Sequence, residues 1–317
     1  MSVLKARTNC KFKDWRAALA RLEGAYANST LRAYRADMRA FEDWCRMSQK
    51  RALPAAPGTV AEFIAHEAKS CAGATLRRRL AAIRKIHRLL RMDNPVHDEE
   101  VLIAMRRALR AKCARPQQAL GLTKPLRDRL IAACPNSLTG LRDRAMIALG
   151  YDTLCRRSEL VGLTIEDISP LDQGHAQILI RRSKTDPYGQ GRLGGVSAET
   201  AMMLKTWLEA ANLKHGFIFR RVRGDKVGEG ALHPYTVNRI LKNIALRAGL
   251  PTETIQDLSG HSMRVGAAQD MVTSGMGVLP IMRAGGWRTL NVVIQYVANA
   301  DLAKIMQQRR ATEDYRP

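Results

Sequence analysis

Residues 75–91, TLRRRLAAIRKIHRLLR, carry Leu76, Leu80, Ile83, Ile86 and Leu90 at the spacing of one helix face. A single helix cannot hide such a stripe from water, so the stripe demands partners of the same kind. Neighbouring segments supply them. Trp15, Ala18, Leu19, Leu22 and Tyr26 share a face, and Asn28-Ser29-Thr30 then breaks the pattern and caps a second helix with Leu31, Tyr34, Met38, Phe41 and Trp44 inward. After the loop at 53–57 (LPAAP), a third helix starts at Thr59 and runs through Val60, Phe63 and Ile64, and a last one covers 99–112. The first third of the chain therefore reads as a helical unit.

The other positions of 75–91 are Arg77, Arg78, Arg79, Arg84, Lys85, Arg88 and Arg91, with no acidic residue among them. Ion pairing along this helix thus does not explain the charge. A solvated face is the usual explanation for one such run, but the whole chain leans the same way. Lys and Arg total 52 against 29 Asp and Glu, a net charge of +23. Residues 1–120 hold 25 basic and 11 acidic side chains, and residues 121–317 hold 27 and 18. Both halves being basic implies a polyanion that touches both, with nucleic acid ahead of an acidic membrane surface. Candidate DNA-contacting residues are Arg32 and Arg35 on the second helix, Arg77, Arg78, Arg79 and Arg84 on the fourth, and Asn238 and Arg239 on a later one.

No apolar run approaches 18 residues and no signal peptide is evident, so the expected location is the cytoplasm, at the nucleoid of a prokaryotic cell. The cysteines (Cys10, Cys45, Cys71, Cys113, Cys134, Cys155) form no Cys-x-x-Cys pair and read as reduced thiols rather than a zinc site or a disulfide framework.

Periodicity fades over 111–123 (AKCARPQQALGLT), which predicts a DNA-binding domain over 1–115, a linker over 116–123 and a catalytic domain over 124–317. Helices are expected near 126–133, 138–151, 198–212 and 235–248. Residues 177–183 (QILIRRS) alternate and predict a strand leading to a β-hairpin tip at Lys184, whereas 220–230 (RRVRGDKVGEG) reads as a flexible charged loop. The fold class is mainly α with a small antiparallel β-sheet.

Candidate chemistry is spread over the second half. Arg156 and Glu159, three apart on a helix, are by spacing alone a surface ion pair, and Lys184 by itself is a solvated lysine. His261 and Arg264 share a helix face, Trp287 follows a paired glycine, and Tyr296 follows Val292 and Val293 as a core aromatic would. Together the types gain meaning. Metal-free phosphodiester cleavage needs cations on the non-bridging oxygens, a nucleophile, and an acid for the leaving oxygen. Arg156 and Arg264 fit the first need, Tyr296 the second and Lys184 the third. A tyrosine of ordinary pKa near 10 also needs the guanidinium field and a base such as His261. No carboxylate cluster for a metal-dependent nuclease is visible, so no metal and no cofactor are expected.

The ordered set Arg156-x-x-Glu159, Lys184, His261-x-x-Arg264, Trp287 and Tyr296, within YDTLCRRSEL, RSKT, SGHSMRVGAA and IMRAGGW, resembles the signature of the tyrosine recombinases, the site-specific recombinase and phage-integrase family. The resemblance covers roughly residues 25–305. It implies a two-domain C-shaped clamp on double-stranded DNA bearing specific recombination sites. Arg156 and Arg264 would bind the scissile phosphate, with His261 and Trp287 completing the pocket and Glu159 orienting its basic groups. Lys184 would protonate the leaving 5′ oxygen, and Tyr296 would form a 3′-phosphotyrosyl link that stores the bond energy without ATP. The tail segment Leu302, Ile305 and Met306 would then dock into a neighbouring protomer, making a homotetramer on two sites, whereas from the sequence alone it could equally fold back on its own domain. The alternatives left open are an inactive DNA-binding protein of the same fold and a type IB topoisomerase-like enzyme.

Overall fold

The computed structural model describes residues 14–112, 118–181, 183, 186 and 189–297. The chain divides into two compact units, Met1–Pro116 and Gln117–Pro317.

In the first unit α1 (Trp15–Ala20), α2 (Asn28–Met47), α3 (Pro57–Glu67), α4 (Gly73–Leu89) and α5 (Glu99–Ala111) turn their apolar stripes toward one another. The carboxylates of Asp14 and Asp98 accept from the first-turn backbone of α1 and α5, and Pro57 opens α3. Trp15, Phe41, Phe63, Leu76 and Ile83 are fully buried, and the Phe41 and Phe63 rings meet edge to face at 5.0 Å. α1 is shorter than the stripe predicts. It ends at Ala20, and the turns after it bring the Tyr26 hydroxyl to Lys85 Nζ on α4 at 2.6 Å.

The basic face of α4 is less available than its sequence predicts. Arg78 donates through Nε and Nη2 to both carboxylate oxygens of Asp37 at 2.7 and 2.9 Å, and Asp37 is only 3 % exposed on α2. Arg79 pairs with Glu67 on α3, lies 3.9 Å from Asp37 through Nε, and covers the Phe63 ring. Ion pairing does account for part of this charge, but across helices rather than along α4: the acidic partners of Arg78 and Arg79 come from α2 and α3, where spacing within α4 cannot reveal them. Arg35 likewise pairs with Glu23 at 2.9 Å, while Arg32, Arg77 and Arg84 are exposed.

The second unit comprises α6 (Lys124–Ala132), α7 (Leu138–Asp152), α8 (Arg157–Leu160), β1 (Ile168–Pro170), β2 (Ala176–Ile180), β3 (Arg192–Val196), α9 (Ala198–Ala210), β4 (Arg220–Arg223), β5 (Lys226–Ala231), α10 (Pro234–Arg247), α11 (Thr252–Asp257), α12 (Ser262–Thr273), α13 (Val278–Gly285) and α14 (Leu290–Val297). Residues 145–150 of α7 (AMIALG) are all buried, as an apolar stretch enclosed by its neighbours must be, and the charged turn before it is covered by the Arg142–Asp143 pair. The sheet runs β1-β2-β3, antiparallel throughout, with Ile180 opposite Arg192. Residues 220–230, expected as a flexible loop, instead pair as β4 and β5 with Arg223 opposite Lys226. Most of β5 is exposed on both faces, so no apolar alternation marked it as a strand. Where α12, α13 and α14 meet, Leu154, Ala267, Ala268, Ile281, Trp287 and Val293 form a separate small core. Lys184 and the tail segment at 302–306 lie outside the described residues.

Candidate active site

Arg156 stands at the N-terminus of α8, and Glu159 closes that first turn. The Glu159 carboxylate accepts from the Arg156 backbone N–H at 3.0 Å and from its Nη1 at 2.7 Å. With the Glu159 side chain only 3 % exposed, this pair fixes the arginine by two bonds from one buried anion. Arg157, its neighbour in sequence, goes the other way and lies over the Tyr235 ring at 4.6 Å. Tyr235 belongs to α10, and the next turn of that helix places Asn238 where its Oδ1 accepts from Gly260 N–H at 2.7 Å, just before His261. Asn238, expected as a DNA contact, thus braces the loop that carries the histidine. Arg239 is exposed and lines a groove of about 840 Å³ with Arg142, Arg221, Arg223 and Arg247.

Arg264 lies one turn into α12 and is fully buried. Its Nη1 donates to Leu154 O at 2.5 Å and its Nη2 to Gly285 O at 2.6 Å, while Nε has no partner among the described residues. Burial, and then Arg156 nearby, lower its pKa, whereas Tyr296 acts to raise it. Trp287 is delivered by the paired glycines. Gly286 takes the left-handed conformation (φ 62°) that ends α13, with Trp287 N–H reaching back to Met282 O at 2.9 Å. At Gly285 any Cβ would meet the indole ring itself, at 2.3 Å. The ring is buried with its Nε1–H also unpartnered among the described residues.

Tyr296, half-buried in the last turn of α14, completes the cluster. Its ring lies 4.6 Å from Trp287 and 5.1 Å from His261, and the Arg264 guanidinium carbon is 5.3 Å from it. Although His261 keeps an exposed edge, the desolvation its neighbours impose on the imidazole, together with the charges of Arg264, Arg156 and Arg157, pushes its pKa down to about 4. The imidazole is therefore neutral at physiological pH and able to take a proton. Six of the seven expected catalytic residues converge in this way, and the seventh, Lys184, lies outside the described residues.

Two further residues support the cluster without having drawn notice in the sequence. Gln118, in the predicted linker, donates through Nε2 to the carbonyls of Gln295 and Tyr296 at 2.8 and 3.0 Å. Arg192, the first residue of β3, bonds the carbonyls of Thr153 and Ala284. Their contacts are invisible to spacing along the chain, because each reaches its partner through tertiary folding alone.

Chemically, the site offers unpartnered N–H donors on Arg264 and Trp287 beside a second arginine, a neutral histidine and a phenol. An orphaned buried donor costs about 1–3 kcal/mol. A tetrahedral oxyanion supplies the acceptors that would satisfy such donors. Among the described residues no three His, Cys, Asp or Glu side chains cluster to hold a metal ion, and no helix is long and apolar enough to cross a membrane.

Comparison with known proteins matches residues 122–302 to the phage integrase family and residues 13–94 to the phage integrase N-terminal SAM-like domain. The chain is 28 % identical over 294 residues to the recombinase Cre of Escherichia phage P1, covering 87 % of this chain and 86 % of Cre. It is 32 % identical over 301 residues to an integrase/recombinase XerD homolog of Selenomonas ruminantium, covering 90 % and 85 %. Solved structures share the fold. The XerH site-specific recombinase bound to its difH substrate superposes with a TM-score of 0.65 at 16 % identity, over 90 % of this chain and 82 % of XerH. The Tn1549 transposon integrase, bound to transposon-end DNA, gives 0.65 at 15 % identity over 94 % and 98 %. A helical unit matching the SAM-like domain, followed by a unit matching the phage integrase family over residues 122–302, makes this chain a tyrosine recombinase of the phage integrase family.

Proposed function

We propose that the protein cuts and rejoins duplex DNA at specific sites through a covalent 3′-phosphotyrosyl intermediate on Tyr296. The observation behind this reading is the convergence of Arg264, Trp287 and His261 on the Tyr296 ring, with the charge of Arg156 acting on both Arg264 and His261. The phenolic oxygen attacks the scissile phosphorus as its proton passes to the neutral His261. A P–O bond to Tyr296 forms and the P–O5′ bond breaks. Arg156, Arg264 and the Trp287 N–H hold the non-bridging oxygens, where negative charge builds in the transition state. Lys184 gives the departing 5′ oxygen its proton. Rejoining runs the same steps backward, with a 5′ hydroxyl from the partner strand as nucleophile. One phosphodiester is traded for another, so no external energy source enters the balance.

The working assembly is a homotetramer on two DNA sites, held in part by the tail beyond residue 297, and the basic character of both halves supports duplex contacts from each. The test is Tyr296→Phe in the full chain. The variant is expected to retain DNA-site binding and to give no protein–DNA adduct after denaturation. An adduct that persists in this variant overturns the assignment of the nucleophile.

A further inference from the structure

Two arginines span the same gap in parallel. Arg264 bridges Leu154 O to Gly285 O at 2.5 and 2.6 Å. Arg192 bridges the adjoining carbonyls, with Nη2 on Thr153 O at 2.9 Å and Nη1 on Ala284 O at 2.7 Å. Both arginines thus join residues 153–154, which lead into Arg156, to residues 284–285, which lead into Trp287. A single bridge leaves two segments free to pivot about it. Two bridges from consecutive residues remove that rotation.

We infer that Arg192 is a positioning residue of the phosphate pocket: as the second bridge, through its two Nη atoms, it fixes the orientation of Trp287 relative to Arg156. The inference rests on the phosphoryl-transfer reading of the site given above. Two more contacts favour it. Nη2 of Arg192 lies 3.7 Å from Glu159 Oε2, so the anion that holds Arg156 also faces the bridging arginine. Gly286, next to Trp287, packs directly on the arginine, and a Cβ there would stand 2.8 Å from Arg192 Cδ. An arginine tied at both Nη atoms cannot swing away from such a Cβ. Only arginine suits the position, because its planar fork presents two donors at fixed spacing where a lysine presents one point charge.

The test compares full-chain wild type with Arg192→Gln and Arg192→Lys. The DNA probe is a duplex selected from a randomised library by adduct trapping on the wild-type protein. Arg192→Gln is expected to slow adduct formation at saturating DNA about 10²-fold, the scale of a displacement near 1 Å in a reacting constellation. The half-saturating DNA concentration should stay within about threefold, since ground-state binding is spread over many phosphates. Arg192→Lys should fail to rescue. In the free protein, amide exchange should accelerate at residues 153–157 and 284–288 while the interior of α7 stays protected. An adduct rate near wild type in Arg192→Gln, rescue by lysine, or faster exchange throughout the unit would each overturn the proposal. If wild type yields no adduct with any duplex, the phosphoryl-transfer reading itself fails. Exchange at the two segments then decides whether Arg192 is a bridge at all, local acceleration supporting it and unchanged protection refuting it.

Discussion

His261 makes the chemistry of the pocket sensitive to its own electrostatics. Partial desolvation of this still-exposed ring and three nearby guanidinium groups, Arg264 first, depress its pKa to about 4 in the free protein. An unfolded chain has no such surroundings, and its histidine titrates near 6.5. Between these values the unfolded state binds more protons than the folded one, so this residue makes stability rise with pH across the window. Its contribution is complete above about 6.5 and declines as pH falls toward 4. Urea unfolding at pH 5 and pH 7 should therefore show a smaller difference for His261→Gln than for wild type, and an equal difference would argue against the depressed value. A bound phosphodiester adds negative charge beside the ring. The imidazole resonance, followed by NMR in Tyr296→Phe, should then titrate at higher pH with DNA than without. The role of His261 was open to sequence reasoning because residue type and spacing imply it, but its depressed pKa was not. Arg156 and Arg157 bear on the ring from a segment more than one hundred residues earlier.

At the level of elements, regular amphipathic stripes were legible and cross-element polar contacts were not. α2 and α4 follow from apolar periodicity, since a helix must bury such a face somewhere. β4 and β5 escaped notice because short, polar, exposed strands leave no alternation to detect. The pairing of Arg78 with Asp37 was equally hidden, the two residues being 41 positions apart. That pair makes an asymmetric prediction about the first unit. Arg78→Met strands the Asp37 carboxylate at 3 % exposure, and an uncompensated buried charge costs about 3–5 kcal/mol, lowered here by Arg79 at 3.9 Å. Asp37→Asn leaves the half-exposed Arg78 able to rehydrate, and should cost about 1–2 kcal/mol. Urea titrations of the two full-length variants give the comparison. A larger loss for Asp37→Asn would mean that the carboxylate matters for packing rather than as a compensated charge.

For the molecule as a whole, the excess of 52 basic over 29 acidic residues is spread over both halves, and this has a measurable consequence beyond sequence specificity. Each phosphate neutralised by a cation releases condensed counterions, so log K for duplex binding falls with log salt at a slope of about −0.9 per phosphate contacted. A protein meeting DNA through both units should engage roughly 6–10 phosphates and lose about 10³–10⁵ in affinity between 50 and 200 mM salt. The internal pairing of Arg78 and Arg79 reduces the number of free cations on α4, whereas Arg77 and Arg84 are exposed there. In a Tyr296→Phe background, which separates binding from cleavage, the double variant Arg77→Gln/Arg84→Gln should flatten the slope by about two phosphate equivalents. Arg79→Gln, by contrast, should lower stability while leaving the slope nearly unchanged, because its guanidinium is already held by Glu67. A flattened slope for Arg79→Gln at unchanged stability would place that arginine on DNA after all. No change for the double variant would move the basic contact surface away from α4.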